Sequence, residues 1–195
     1  MADIVIHMTN DHEIFGNGEG DVNCCMIQPA DRLLEITGKY SVRITFFLDV
    51  CMLWAFEELE MEGKLNRNYS DDIKNQLKEA LKKGHEVQLH FHPQWLNYKY
   101  EEGHFYLDEQ LWRLPKVEEK EVMPLNDLFE KGKTYLENIF QEVDNHYKCS
   151  SFRAGDWCIQ PEEKVLEAMR QNSFRLDTTV VPKMIHDDGL TKYDF

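Results

Sequence analysis

Short apolar runs rich in β-branched and aromatic residues alternate along the chain with longer amphipathic stretches, and this alternation restricts the fold more than any other feature. Parallel strands need a crossover between them, so a β/α alternation of this kind reads as a parallel sheet flanked by helices. Strands are expected at Asp3–Met8, Val42–Val50, Glu86–Phe91, Cys149–Arg153 and Phe174–Val181. One helix is expected from Pro29 to about Gly38 and a second from Ser70, as N-cap, to Lys83 before Gly84. A third covers roughly Asn126 to His146, and a fourth opens at Pro161 with Val165, Leu166 and Met169 on one face. Glu57, Glu58, Glu60 and Glu62 read as a solvated helix face.

The chain has 195 residues, a length that suits one domain over residues 1–195. The alternation makes that domain α/β. A closed (β/α) barrel takes about 200 residues or more. Because the chain stops at Phe195 soon after the fifth expected strand, an incomplete barrel or a truncated chain is expected. Between Pro93 and Pro124 the alternation breaks down, and Trp95, Tyr98, Tyr100, Phe105, Tyr106 and Trp112 crowd a charged segment that reads as a lid or pocket wall.

With 22 Lys+Arg against 36 Asp+Glu, the net charge of −14 opposes a phosphate backbone and argues against nucleic-acid partners. The N-terminus lacks the pattern of a secretory signal, and no apolar run is long enough for a membrane span, so a soluble, cytoplasmic chain is expected. Five cysteines, Cys24, Cys25, Cys51, Cys149 and Cys158, form no CxxC pair and read as reduced thiols, mostly in the core.

Three clusters carry chemistry. Asp11 and Glu13 in Thr9-Asn10-Asp11-His12-Glu13 share one face of extended chain, as do His90 and His92 in Gln88-Leu89-His90-Phe91-His92. Both pairs fall at C-terminal strand ends, where sites of α/β sheets lie. Two imidazoles with one or two carboxylates suit Zn²⁺, with Co²⁺, Fe²⁺ and Ni²⁺ as alternatives. In the third cluster, Arg153 of Phe152-Arg153-Ala154-Gly155-Asp156-Trp157 can grip a carboxylate through two parallel hydrogen bonds, with Asp11 as the expected partner. Trp157 reads as a pocket wall or a cap on the core, Gly155 as a tight turn, and Gly16 to Gly20 as a mobile βα loop. His85 reads as structural, and His7, His104, His146 and His186 have no evident convergent partners.

Taken in order, TNDHE, GHEVQLHFHPQW and FRAGDW resemble the motifs of the NodB-type polysaccharide deacetylases, carbohydrate esterase family 4, and ITFFLDV is similar to that family's second strand. The resemblance implies a distorted (β/α) barrel and metal-dependent removal of acetyl groups from sugars. It makes Asp11 the catalytic base and Arg153 the residue that orients it. It leaves the family's metal-binding aspartate to be replaced by His12, by Glu13 or by Asp11 itself. His90 matches the family's first histidine; Gln94 stands at the second, with His92 as the proposed substitute. Trp157 matches the pocket aromatic, Trp95 is a further substrate-binding candidate, and Asp177 matches the fourth motif's aspartate as a supporting residue. The family's acid histidine has no counterpart. An acetylated sugar or small amide is therefore the expected ligand. The alternatives are a glycan-binding module without turnover and another barrel metal hydrolase of the amidohydrolase or PHP type.

Overall fold

A computed structural model describes residues 4–189 and 191–195. The expected alternation is present. In chain order the elements are β1 (Met8–His12), α1 (Gln28–Lys39), β2 (Ile44–Asp49), α2 (Val50–Met61), α3 (Tyr69–Lys82), β3 (Glu86–Phe91), β4 (Lys99–Glu101), β5 (His104–Tyr106), α4 (Lys116–Glu119), α5 (Leu125–Phe140), β6 (Ser151–Ala154), α6 (Glu163–Gln171), β7 (Leu176–Asp177), β8 (Ile185–Asp187) and β9 (Lys192–Asp194). A five-stranded sheet runs in the order β1-β2-β3-β6-β7, with every neighbouring pair parallel.

The fold is therefore α/β, and its open parallel sheet is compatible with the expected incomplete barrel; a closed barrel is not present among the described residues. Among the described residues β7 does not pair with β1, and the sheet stays open.

Strand faces divide the labour. Phe46, Leu48, Leu89, Phe91 and Phe152 alternate toward the helices and are fully buried. On α5, Gly132 lets the helix lie directly on this face, since a Cβ there would come 2.9 Å from Phe91 Cζ. The opposite face carries Asp11, Phe47, Asp49, His90 and Arg153, in register across four strands.

Several boundaries differ from the sequence expectation. Asp3 lies outside the described residues, and Ile4, Val5 and Ile6 are exposed chain ahead of β1 rather than strand. β1 starts later because its pairing with β2 begins at Met8 opposite Ile44. The N-cap of α3 is Asn68, whose side chain accepts the Asp71 N–H at 3.1 Å, whereas the Ser70 hydroxyl is turned to Glu60. Helix α5 ends at Phe140, and the chain then turns, with Asp144 accepting the His146 N–H at 2.9 Å. The strand expected over Phe174–Val181 shrinks to two residues.

Two larger readings also change. Segment 93–124 is not a bare loop: it holds the β4–β5 hairpin, pinned by Phe105 against Trp95 and Tyr100 with ring centroids 4.9 Å apart in each case. The α2 glutamates are not uniformly solvated. Glu57 accepts from Lys74 at 2.9 Å and Tyr135 at 2.6 Å, and Glu60 accepts from Ser70, because α3 and α5 pack against that side. All five cysteines are free; Cys51, Cys149 and Cys158 are buried. No helix among the described residues is long and apolar enough to cross a membrane.

Candidate metal centre

The three neighbouring strands β1, β2 and β3 end together, and the site is built where they do. The Glu13 Oε2 atom lies 2.7 Å from His92 Nε2 and 3.2 Å from His90 Nε2. These three side chains form a group that could hold a metal ion, with one ligand atom from each within 4.8 Å of the others. Their donor chemistry fits: Glu13 Oε2 and His90 Nε2 are buried and, despite the short separations, lack a partner in hydrogen-bond geometry. His₂Glu is a ligand set for Zn²⁺.

Each imidazole is held from behind. His90 Nδ1 lies 2.8 Å from the Arg153 carbonyl, which only accepts, so that nitrogen carries the proton and Nε2 is the free ligand atom. His92 packs flat on Gly155, where a Cβ would come 2.7 Å from three ring atoms. Its Nδ1 lies 2.8 Å from the buried side-chain amide of Gln94, whose Nε2 donates to the Gly16 carbonyl at 3.1 Å. Gln94 thus supports the second histidine from behind, and it ties the β1–α1 loop to it.

Burial works against the imidazolium of His92, but Glu13, Asp49 and Asp156 outweigh it and raise its pKa to about 10. His90 is raised as well, with burial opposed chiefly by Glu13. Burial favours a neutral Glu13, yet the two histidines hold its carboxyl well below the usual range.

Asp11 lies on the same face but outside this trio. Its Oδ1 accepts from Arg153 Nη1 at 2.6 Å. The expected two-pronged grip is divided: Arg153 Nη2 donates to Thr9 at 3.1 Å and Nε to Thr178 at 3.1 Å, while the guanidinium sits 4.4 Å over the Phe47 ring. Three strand spacings of about 4.8 Å separate β1 from β6, and side chains stand away from a flat sheet. The Asp11–Arg153 contact therefore requires the sheet to curl with this face inside.

His12 is not a ligand. It falls between Asp11 and Glu13 and points to the other face, edge-on to Phe46 with centroids 5.6 Å apart, where burial lowers its pKa to about 4. Trp95 is likewise corrected as a ligand platform: it is 2% exposed and packed on Phe56 and Phe105. Trp157 is 41% exposed and sits edge-on to Tyr193, so its ring is open to a ligand. Asp177 does not reach the group; it accepts from Thr179, whose hydroxyl accepts the Ala154 N–H, and so supports the β6 end. His85 accepts the Ile44 N–H at 3.1 Å, a structural role as expected.

Two residues were missed by sequence reasoning. Asp49, at the end of β2, is fully buried beside the group, and burial pushes its carboxyl up to about 6. Asp156 holds Oδ2 at 3.6 Å from His92 Nδ1, on a backbone with φ of 49° followed by Trp157 at 56°. Two consecutive left-handed residues that are not glycine are costly and cluster at functional sites. For Asp49, the available signal was its place at the same strand end as the two noted pairs.

A cavity of about 860 Å³ lies on the far side of the β1–α1 loop, between Asn17–Val22 and the rings of Phe56, Tyr69, Tyr100, Phe105 and Tyr106. It is not lined by Glu13, His90 or His92; the loop separates it from them, with Gly16 toward His92 and Gly18 toward Phe105.

No protein-family model, curated protein or solved structure matches the chain. The class that the fold and site define is an α/β protein with a buried His₂Glu group at the strand ends.

Proposed function

We propose that the chain is a metal-dependent hydrolase that removes an acetyl group from an N-acetylated sugar or a related small amide, in a cytoplasmic setting. The observation that carries this reading is a carboxylate clamped by arginine, Asp11, on the same face as the Glu13, His90 and His92 group. Glu13, His90 and His92 would hold a divalent cation, Zn²⁺ by donor type, and such an ion polarises a carbonyl and lowers the pKa of bound water.

The protein's own residues do the rest. Arg153 occupies Oδ1 of Asp11, which leaves Oδ2 to take a proton from attacking water. Asp11 can return that proton to the departing amine, so that water and amide become acetate and amine. A positioned base contributes roughly 10²–10⁴-fold. The net charge of −14 favours neutral or cationic amino-sugar derivatives over anionic ones.

The competing reading, a glycan-binding module without turnover, is favoured by Gln94 at the position where the resemblance implies a second histidine. Acetate release from a panel of N-acetylated sugars, measured on zinc-loaded protein, separates the two. Turnover that falls about 10²–10⁴-fold in Asp11→Asn, with metal binding retained, is the expected result. Sugar binding without acetate release from the wild-type protein would overturn the hydrolase reading.

A further inference from the structure

We propose that Asp49 is a second anionic member of the metal group, lying between the strands that carry Glu13 and His90 and completing the charge balance of a bound divalent cation. The inference rests on the metal-site part of the function proposed above.

Register places it there. Asp49 pairs with His90 across β2 and β3, and continuing the β1–β2 register one residue past His12 and Leu48 sets Glu13 beside Asp49 on its other flank. Paired residues of parallel strands project to the same face, so Asp49 stands in one row with both. Asp49 stands outside the three ligand atoms that gather within 4.8 Å of one another, next to them through the His92 backbone N–H, so its part is to supply charge beside the group.

Its two oxygens have different fates. Oδ1 accepts the Cys51 N–H at 3.0 Å, which caps α2, and the His92 N–H at 3.2 Å. Oδ2 is buried and has no hydrogen-bond partner, although the residue is wholly shielded from water. A capping role explains Oδ1 alone. A buried carboxylate oxygen with no partner is costly unless something positive faces it.

Charge arithmetic agrees. Two neutral imidazoles and Glu13 would leave a buried divalent cation with one uncompensated positive charge; Asp156 also faces His92 but its side chain is one-third exposed, whereas Asp49 is wholly buried and offsets that charge away from solvent. Asp49 therefore both fixes the His92 backbone and supplies the missing charge.

Co²⁺ titration against a competing chelator, with Glu13→Gln as the variant that should lose binding, tests this. Asp49→Asn keeps an oxygen for the two N–H donors and removes the charge; Asp49→Ser keeps a helix cap and removes the carboxylate. Both should weaken Co²⁺ binding by about 10–100-fold while the metal-free proteins remain folded by circular dichroism. Unchanged affinity in a folded variant overturns the inference and leaves the metal centre standing. Loss of the fold in both variants makes Asp49 structural and overturns it too. Wild-type protein that takes up no divalent ion overturns both this inference and the reading it rests on.

Discussion

His92 shows how little freedom the site residues have. Its ring is wedged between Glu13 at 2.7 Å, the Gln94 amide at 2.8 Å and the bare backbone of Gly155. Gly155→Ala would drive a methyl group into the ring, so the imidazole must move out of line with Glu13. We expect Co²⁺ affinity to fall at least about tenfold, as for other changes behind a ligand, with the fold intact. Equal affinity in a competition titration would show that His92 does not need its present place. At this scale much was legible. The i, i+2 spacing of extended chain put Asp11 with Glu13 and His90 with His92, and both pairs do share the inner face. Motif adjacency alone admits His12 as a ligand, but the alternation of a strand sends it to the helix-facing side against Phe46. Asp49 carries only its strand-end position as a signal, and a lone aspartate there serves equally well as an N-cap, which it also is.

Elements place these residues through close helix–sheet contact. Gly132 and Gly38 both lie within helices, where alanine is favoured by up to about 1 kcal/mol over glycine. Their surroundings differ. A Cβ at Gly38 would meet nothing within 4 Å, whereas one at Gly132 would press on Phe91 and Leu89 of β3 at 2.9–3.0 Å. Gly38→Ala should therefore raise stability by about 0.4–1 kcal/mol. Gly132→Ala should lower it, since overpacking a core costs about 1–3 kcal/mol and exceeds the helical gain. Urea unfolding midpoints that move in the same direction for both would contradict this account. Sequence pattern located helices α1, α3, α5 and α6 and the strands β2, β3 and β6, but it put the first strand ahead of β1 and missed the short hairpin strands. Ser70 resembles a cap, yet its hydroxyl is committed to Glu60 on another helix, a contact that local pattern does not encode.

For the molecule as a whole, metal and proton compete for the same nitrogens. The pKa of His92 is raised to about 10, so its ion pair with Glu13 supports the metal-free fold fully below about pH 6.5 and is lost as pH rises through 10. The Glu13 carboxyl is depressed, so its share is present above about pH 4.5 and fades as pH falls below that. A cation must displace the imidazole protons, and its binding should strengthen as pH climbs from 6 toward 9. At a hundredfold excess over Kd it adds about 2.7 kcal/mol, which for a chain of this size raises Tm by roughly 5–10 °C. Thermal scans with zinc and with a chelator should show that gap widening from pH 6 to pH 9; a gap that narrows would place the cation elsewhere. The α/β class was legible at this scale. The incomplete barrel expected from five strands is compatible with the open sheet, but the β/α rhythm alone does not separate barrels from open sheets, since the difference lies in whether the last strand returns to the first.

The contact between Asp11 and Arg153 joins the first strand to the fourth across a curled sheet, and it acts as a clasp. Any loosening of the curl lengthens it before the hydrophobic layer behind is breached. A gentle perturbant should consequently free Asp11 while the rest of the architecture still holds, which makes this bond an early gauge of mechanical slackening in the whole protein.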